Sequence, residues 1–300
     1  MNVPASLFVP TVKIRYFAFN CTEIKTPGGK TLLVDPCLHK EGPMGCGYDV
    51  NDLEGCDYVF INHSHGDHVS SLGEVYDRFH PLVMAHAATS LELAKLYDVP
   101  YIRFLPFTTG DEFDFDDFKI QVVHGRHNNI TPGNFNVRPS GRLDELCPPK
   151  VRERPYEGEL EQLLGDKGTM YGSNFLMTLS NNLKIGFYAG NAGMEDPQDR
   201  NVWKQLRPDI IFAHRAKFVF ADESSKAPYD YAEKMADILE ITGARVLLPI
   251  HIEDAYRGKY DPAEYVAKVN AICEKRGLPG RMMFLERGQW YQFSTGVEKV

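Results

Sequence analysis

The 300-residue chain contains six cysteines but no Cys-x-x-Cys pair, which leaves neither a zinc ribbon nor a dithiol redox motif. Cys37, His39, Cys46 and Cys56 lie near one another in sequence, yet they lack the short paired steps of structural zinc sites. Together with Cys21, Cys147 and Cys273 the cysteines read as reduced thiols of a cytoplasmic protein. No run reaches the roughly 18 apolar residues that a membrane span requires. Near the start, Pro4 and Pro10 cut Leu7-Phe8-Val9 short of a signal-peptide core, so no targeting signal and a cytoplasmic location are expected. Positive charge is in deficit: 33 Lys and Arg against 41 Asp and Glu give a net charge of −8. That balance argues against nucleic acid as the routine partner, because phosphate backbones are bound through basic surface. It leaves open a small anionic molecule held in a local basic pocket. Repeats, heptads and low-complexity tracts are also missing. The expected partner is a small-molecule substrate with no membrane involved; the sequence is silent on oligomeric state and compatible with a homo-oligomer.

What is present has the balance of an ordinary soluble globular protein, with 43% hydrophobic and 25% charged residues. Its most informative stretch is Asn62-His63-Ser64-His65-Gly66-Asp67-His68-Val69, with three imidazoles and a carboxylate within six consecutive positions. Neutral imidazole and carboxylate are the ligands that zinc, ferrous iron and manganese accept at neutral pH. Asp57-Tyr58-Val59-Phe60-Ile61 before it reads as a buried strand, and Val69 to Tyr76 after it reads as a helix. The cluster thus falls on a strand-to-helix turn, where open sheets place their sites. Ser64 and Gly66 are small, which suits a tight curl that lets alternate side chains converge.

Strands are expected over Lys13–Phe19 and Thr31–Val34, joined by the Pro27-Gly28-Gly29 turn, and over Phe118–Val123, Phe175–Leu179, Lys184–Tyr188, Asp209–Ala213, Arg245–Ile250 and Arg281–Leu285. Helical spacing marks Ser90–Tyr97, Gln198–Gln205, Tyr229–Ile241 and Ala263–Lys275. Strands and helices recur in both halves, as two sheets faced by helices would require.

The pattern His63-x-His65-x-Asp67-His68 resembles the signature of the metallo-β-lactamase superfamily of metal-dependent hydrolases. The resemblance runs from about Asp35 to His251 and implies an α/β fold: an αββα four-layer sandwich, one domain over 1–300, with two metals at one edge. It implies further ligands just past later strands. His127, in the loop after Phe118–Val123, is preferred for one of them. His124 continues the alternation of Ile120 and Val122 and reads as a buried histidine or one behind the ligands. His251, directly after Arg245–Ile250, is the expected last ligand. Asp35, at the end of Thr31–Val34, matches the family's Asp-Pro, where a carboxylate accepts from a ligand imidazole and fixes its tautomer. Asn191 stands where the family carries a bridging Asp. A neutral amide there removes one negative charge and weakens the second metal position.

The resemblance assigns His63, His65 and His127 to one metal and Asp67, His68 and His251 to the other, with Asn191 a weak or absent ligand. One or two divalent ions are expected, zinc first, with manganese and iron as alternatives. A metal-bound hydroxide would attack a small anionic metabolite such as a lactone, ester or phosphoester, with Asp67 also orienting the nucleophile or taking its proton. The branch closest in appearance is that of ascorbate-6-phosphate lactonase. Residues 128–171, rich in proline and following the third motif, read as a lid or pocket wall that is helical at Glu157–Leu164. His214, Arg215 and Lys217, past another strand, and Arg126 are candidates to bind a substrate carboxylate or phosphate. Two rival readings remain. One is oxygen chemistry on a single iron; it lacks the Glu that flavodiiron proteins carry at the position of His65, and any flavin-binding domain. The other is a non-catalytic metal-binding protein, favoured only by Asn191.

Overall fold

The computed structural model describes residues 11–42, 44–125, 157–189, 194, 197–214 and 232–294. Within these, fourteen strands form two mixed sheets of seven. The first runs in the order β14 (Trp290–Phe293), β1 (Val12–Ala18), β2 (Cys21–Lys25), β3 (Thr31–Val34), β4 (Tyr58–Phe60), β5 (Leu82–His86) and β6 (Phe104–Phe107). The second runs β13 (Arg281–Met282), β12 (Val246–Ile250), β11 (Ile210–His214), β10 (Lys184–Tyr188), β9 (Ser173–Leu179), β8 (Phe118–His124) and β7 (Glu112–Asp114). Each sheet is antiparallel on one side and parallel on the other: β3 to β6 are parallel in the first, β10 to β13 in the second. Parallel neighbours carry their carboxyl ends to one edge, and every ligand motif of the sequence lies past such an end or past β8.

Three apolar clusters account for the layering. Between the sheets, inward residues of the first (Ile14, Ile24, Leu32, Val34, Phe60, Met84) meet inward residues of the second (Ile120, Val122, Phe175, Met177, Phe187, Phe212). An aromatic ladder crosses this interior. Phe60 touches Phe175 with ring centroids 3.9 Å apart, and Phe175, Phe187 and Phe212 stack in succession at 4.4 Å. Burying each such ring contributes about 1.5–3 kcal/mol. The outer face of the first sheet (Leu33, Val59, Ile61, Val83) packs on α2 (Leu72–Phe79), α3 (Ala87–Leu96) and Leu164 of α4 (Glu157–Met170). The outer face of the second (Ile211, Ala213, Leu247) packs on α5 (Pro197–Leu206), α6 (Ala232–Thr242) and α8 (Pro262–Lys275). The result is the expected αββα sandwich.

Two expectations need correction. Lys13–Phe19 and Thr31–Val34 are not neighbours through one turn; β2 lies between them, and the Pro27-Gly28-Gly29 turn joins β2 to β3. The helix expected over Glu157–Leu164 continues to Met170. Among the described residues no helix is long and apolar enough to cross a membrane.

Candidate metal centre

β4 ends at Phe60, but Ile61 still donates its N–H to Met84 of β5, and Asp35 past β3 donates to Phe60. The chain then turns through His63-Ser64-His65 into the short helix α1 (Gly66–Val69). Asp67 and His68 occupy that helix, and their ligand atoms converge with one from His251, which follows β12 at once. These three are the group among the described residues whose donor atoms all lie within 4.8 Å of one another. His68 Nε2 is 3.1 Å from His251 Nε2 and 3.6 Å from Asp67 Oδ2. Two nitrogens bound to one tetrahedral zinc lie about 3.3 Å apart, so the observed spacing fits a shared cation.

The tautomer of His68 is dictated from behind. Its Nδ1 lies 2.8 Å from Asp35 Oδ2, and a carboxylate can only accept, so Nδ1 carries the proton and Nε2 the lone pair. Asp35 is fully buried and accepts twice more, from the Asn62 N–H and from Asn20 Nδ2, both at 2.6 Å. Burial works against charge on His68, but Asp67 and then Asp35 outweigh it and raise its pKa above the ordinary value. The field that favours a proton there also favours a metal cation.

His63 and His65 stand alongside, with ring centroids 4.7 Å apart, and the His63 ring lies 3.8 Å from that of His68. His63 Nδ1 bonds to Asn62 Oδ1 at 2.9 Å, which places the lone pair on Nε2. Asn62 is itself fixed across the sandwich by donating to the Ser173 carbonyl of β9. His65 Nε2 bonds to the Gly165 carbonyl of α4 at 3.0 Å. Gly66 is not what tightens this turn: its φ is not positive and an added Cβ would meet nothing within 4 Å. Ser64 contributes through its hydroxyl instead, which donates to the Leu164 carbonyl.

His124 is not one of the three residues whose ligand atoms converge. Its Nδ1 lies 3.3 Å from Asp199 Oδ1 of α5, and its side chain is 35% exposed. His214, at the end of β11, is buried and places its ring 4.5 Å from that of His251. Arg126, His127, Asn191, Arg215 and Lys217 lie outside the described residues. As their spacing implied, Cys37, His39, Cys46 and Cys56 form no metal-ligand group among the described residues: Cys46 and Cys56 donate to the carbonyls of Tyr48 and Tyr58, and Cys37 accepts from Ser70. Burial pushes the Cys37 thiol up to about 12. All five described cysteines are buried free thiols.

Sequence reasoning missed three residues. Asn20 in the β1–β2 turn reaches Asp35, Asn62 holds His63, and Glu253, at the start of α7 (Glu253–Tyr256), accepts from the Phe19 N–H. Phe19 in turn accepts from the His251 N–H at 2.7 Å. Recognising β2 would have exposed the Phe19-Asn20 turn; no pattern in the sequence marks Glu253.

Residues 13–140 match the family model of the beta-lactamase superfamily domain. A UPF0173 metal-dependent hydrolase of Flavobacterium johnsoniae is 27% identical over 135 residues, which span 45% of this chain and 57% of that protein. A second, from Cupriavidus taiwanensis, is 23% identical over 254 residues, 83% of this chain and 77% of that one. Among solved structures, Igni18, a metallo hydrolase from the archaeon Ignicoccus hospitalis, aligns with a TM-score of 0.63 at 16% identity, covering 95% of this chain and all of that one.

Proposed function

We propose that the chain is a metal-dependent hydrolase of the metallo-β-lactamase superfamily, acting on a small anionic lactone, ester or phosphoester. The observation that carries this reading is the Asp67–His68–His251 group, with the His68 lone pair turned inward by Asp35. Those three residues hold one divalent ion, zinc by preference; His63 and His65, with His127, hold the other. A divalent ion bound there supplies Lewis acidity and a water acidified toward neutral pH.

The chain's own residues supply the rest. Asp35 accepts the Nδ1 proton of His68 and Asn62 that of His63, so both rings present Nε2 to the centre without rotating. Asp67 Oδ2, on the more open side of the group with its side chain 29% exposed, is placed to orient the attacking water or take its proton. The His214 ring lies against that of His251, tilted by 35°, and limits its rotation. Arg215 and Lys217, next in sequence, are the proposed contacts for the substrate's negative charge, and Arg126 is assigned the same role. Asn191 is assigned as a weak or absent neutral ligand of the ion held by Asp67, His68 and His251.

The test is metal analysis of protein purified without added metal, followed by a lactone, thioester and phosphoester panel. Hydrolysis that tracks metal content and disappears in Asp67→Asn is the expected result. Protein free of metal even after reconstitution would overturn the reading. Bound iron with oxygen uptake and no hydrolysis would transfer the site to oxygen chemistry.

A further inference from the structure

Helix α4 contains two interior glycines, Gly165 and Gly168. Each costs about 1 kcal/mol relative to Ala in a helix interior. For Gly165 the space does not demand it: a Cβ there would meet nothing within 4 Å. Gly168 is different. A Cβ on it would lie 2.8 Å from His65 Cδ2, 3.0 Å from the His65 backbone nitrogen and 3.1 Å from that of Ser64. Two of those three atoms are backbone of the ligand turn and cannot swing aside.

We infer that Gly168 is a positioning residue for the metal ligand His65: by lacking a side chain it lets α4 approach until the Gly165 carbonyl accepts a hydrogen bond from the Nε2–H of His65. A carbonyl can only accept, so this bond puts the His65 proton on Nε2 and its lone pair on Nδ1. His65 therefore presents the opposite nitrogen from His63 and His68, whose Nδ1 atoms are engaged from behind. The close approach is held by two more contacts. Ser64 donates its hydroxyl to the Leu164 carbonyl, and Lys167 ties α4 to α3 through Glu92 Oε1 at 2.8 Å and the Ala88 carbonyl at 2.6 Å. Bringing a Cβ at position 168 out to an ordinary 3.4 Å contact needs a retreat of 0.6 Å along that line (3.4 less 2.8). A retreat of α4 from His65 lengthens the 3.0 Å bond at Gly165, which has little room before it leaves hydrogen-bonding range. The helix thus sets which nitrogen of His65 faces the metal, a role no ligand motif reveals.

This inference rests on the metal reading above, and the experiment separates the two. Metal affinity of wild type, Gly168→Ala and the α4 surface variant Leu163→Ala is measured by competition with a chromophoric zinc chelator. Failure of wild type to bind zinc counts against the metal reading itself. Given binding, Gly168→Ala should weaken one zinc by about 10–100-fold, the scale for losing an outer hydrogen bond to a ligand. Leu163→Ala, on the exposed side of the same helix, should bind as wild type. Equal affinity in Gly168→Ala and wild type overturns the inference, as does equal weakening in both variants. Should Gly168→Ala fail to fold, nitrogen-15 NMR of metal-free wild type decides instead. Protonation of His65 at Nε2 is required, and protonation at Nδ1 overturns the proposal.

Discussion

Replacing Asp35 with Asn changes one atom of a fully buried carboxylate that accepts three hydrogen bonds, and so tests the organisation of the centre with minimal change of shape. An amide has one acceptor oxygen and one donor nitrogen. Placed with its nitrogen toward Asn20 and His68, it opposes two donors; placed the other way, it opposes the Asn62 N–H alone. The second orientation costs less and is expected, yet it still leaves a buried donor facing a donor, at about 1–3 kcal/mol. Displacing Asn62 also loosens His63, whose Nδ1 bonds to the Asn62 side chain. His68 meanwhile keeps a neutral carbonyl in place of a carboxylate and becomes a poorer electron donor. Metal affinity should fall 10–100-fold, or about 1.4–2.7 kcal/mol. Chelator competition measures the affinity, and urea denaturation of the metal-free protein measures the stability term. Metal affinity within twofold of wild type, with an unchanged denaturation midpoint, would show that Asp35 does not organise the ligands.

His251→Ala and His251→Asn should both lose the metal of the Asp67 group while the protein stays folded. His251 has a φ of +56°, where Ala is strained by about 1–2 kcal/mol and Asn is tolerated, so only the Ala variant should melt lower. Retention of full metal content by both would remove His251 from the ligand set. The His86 imidazole, half-buried at the end of β5, has its pKa lowered by burial, and its Nδ1 accepts from the Ala88 N–H to cap α3. A folded-state pKa below the ordinary value of about 6.5 means that the unfolded chain takes up the proton first as pH falls. The stability it contributes is therefore complete above about pH 6.5 and is lost as pH drops through the lowered value; protonation also removes the cap, worth about 1 kcal/mol. Urea midpoints between pH 5 and 7.5 should fall toward acid in wild type and fall less in His86→Asn, which keeps a cap without titrating; parallel profiles would refute this. Gly186→Ala should cost about 1–3 kcal/mol, because its Cβ would stand 2.6 Å from Trp203, a fully buried ring. A thermal midpoint equal to wild type would mean that the α5 packing gives way freely.

The parts legible in the sequence were those where a buried strand runs straight into a ligand. Tyr58–Phe60 before His63 and Val246–Ile250 before His251 carry unbroken apolar runs, because parallel strands are covered on both faces. Strands that break this rule were missed. β2 holds Glu23 in a buried ion pair with Arg15, so its charge masks its burial. β6 contains Pro106, tolerated because it is an edge strand. β5 was missed although it keeps the rule, with Val83-Met84-Ala85 buried. The omission of β2 had a chemical consequence, since the turn that opens it carries Asn20 and Phe19. The partners of His65 and His68 were unequal in the same way. Asp35 could be anticipated from its place after a strand, whereas the Gly165 carbonyl is backbone, one hundred residues away, and leaves no trace in residue type.

That turn also explains why a site drawn from two sheets can be held to fractions of an ångström. Asp67 and His68 come from the first sheet and His251 from the second, so their spacing depends on how the sheets are placed against each other. The Phe19-Asn20 turn contacts both sides: Asn20 bonds to Asp35 behind His68, and the Phe19 carbonyl accepts from the His251 N–H. Glu253, two residues past His251, holds the Phe19 N–H, and Tyr16 donates its hydroxyl to the Phe19 carbonyl. Phe19, Asp35 and His251 all have positive φ values, of 50°, 46° and 56°. Three non-glycine residues in the left-handed region cost about 1–2 kcal/mol each, and here all three meet in one hydrogen-bonded set. Local preference would relax each of them. The aromatic interior between the sheets prevents it, because Phe60, Phe175, Phe187 and Phe212 fix the separation over which the turn must reach. Strain at the edge is thus offset by packing in the middle, and the ligand geometry is inherited from the sandwich rather than from its loops.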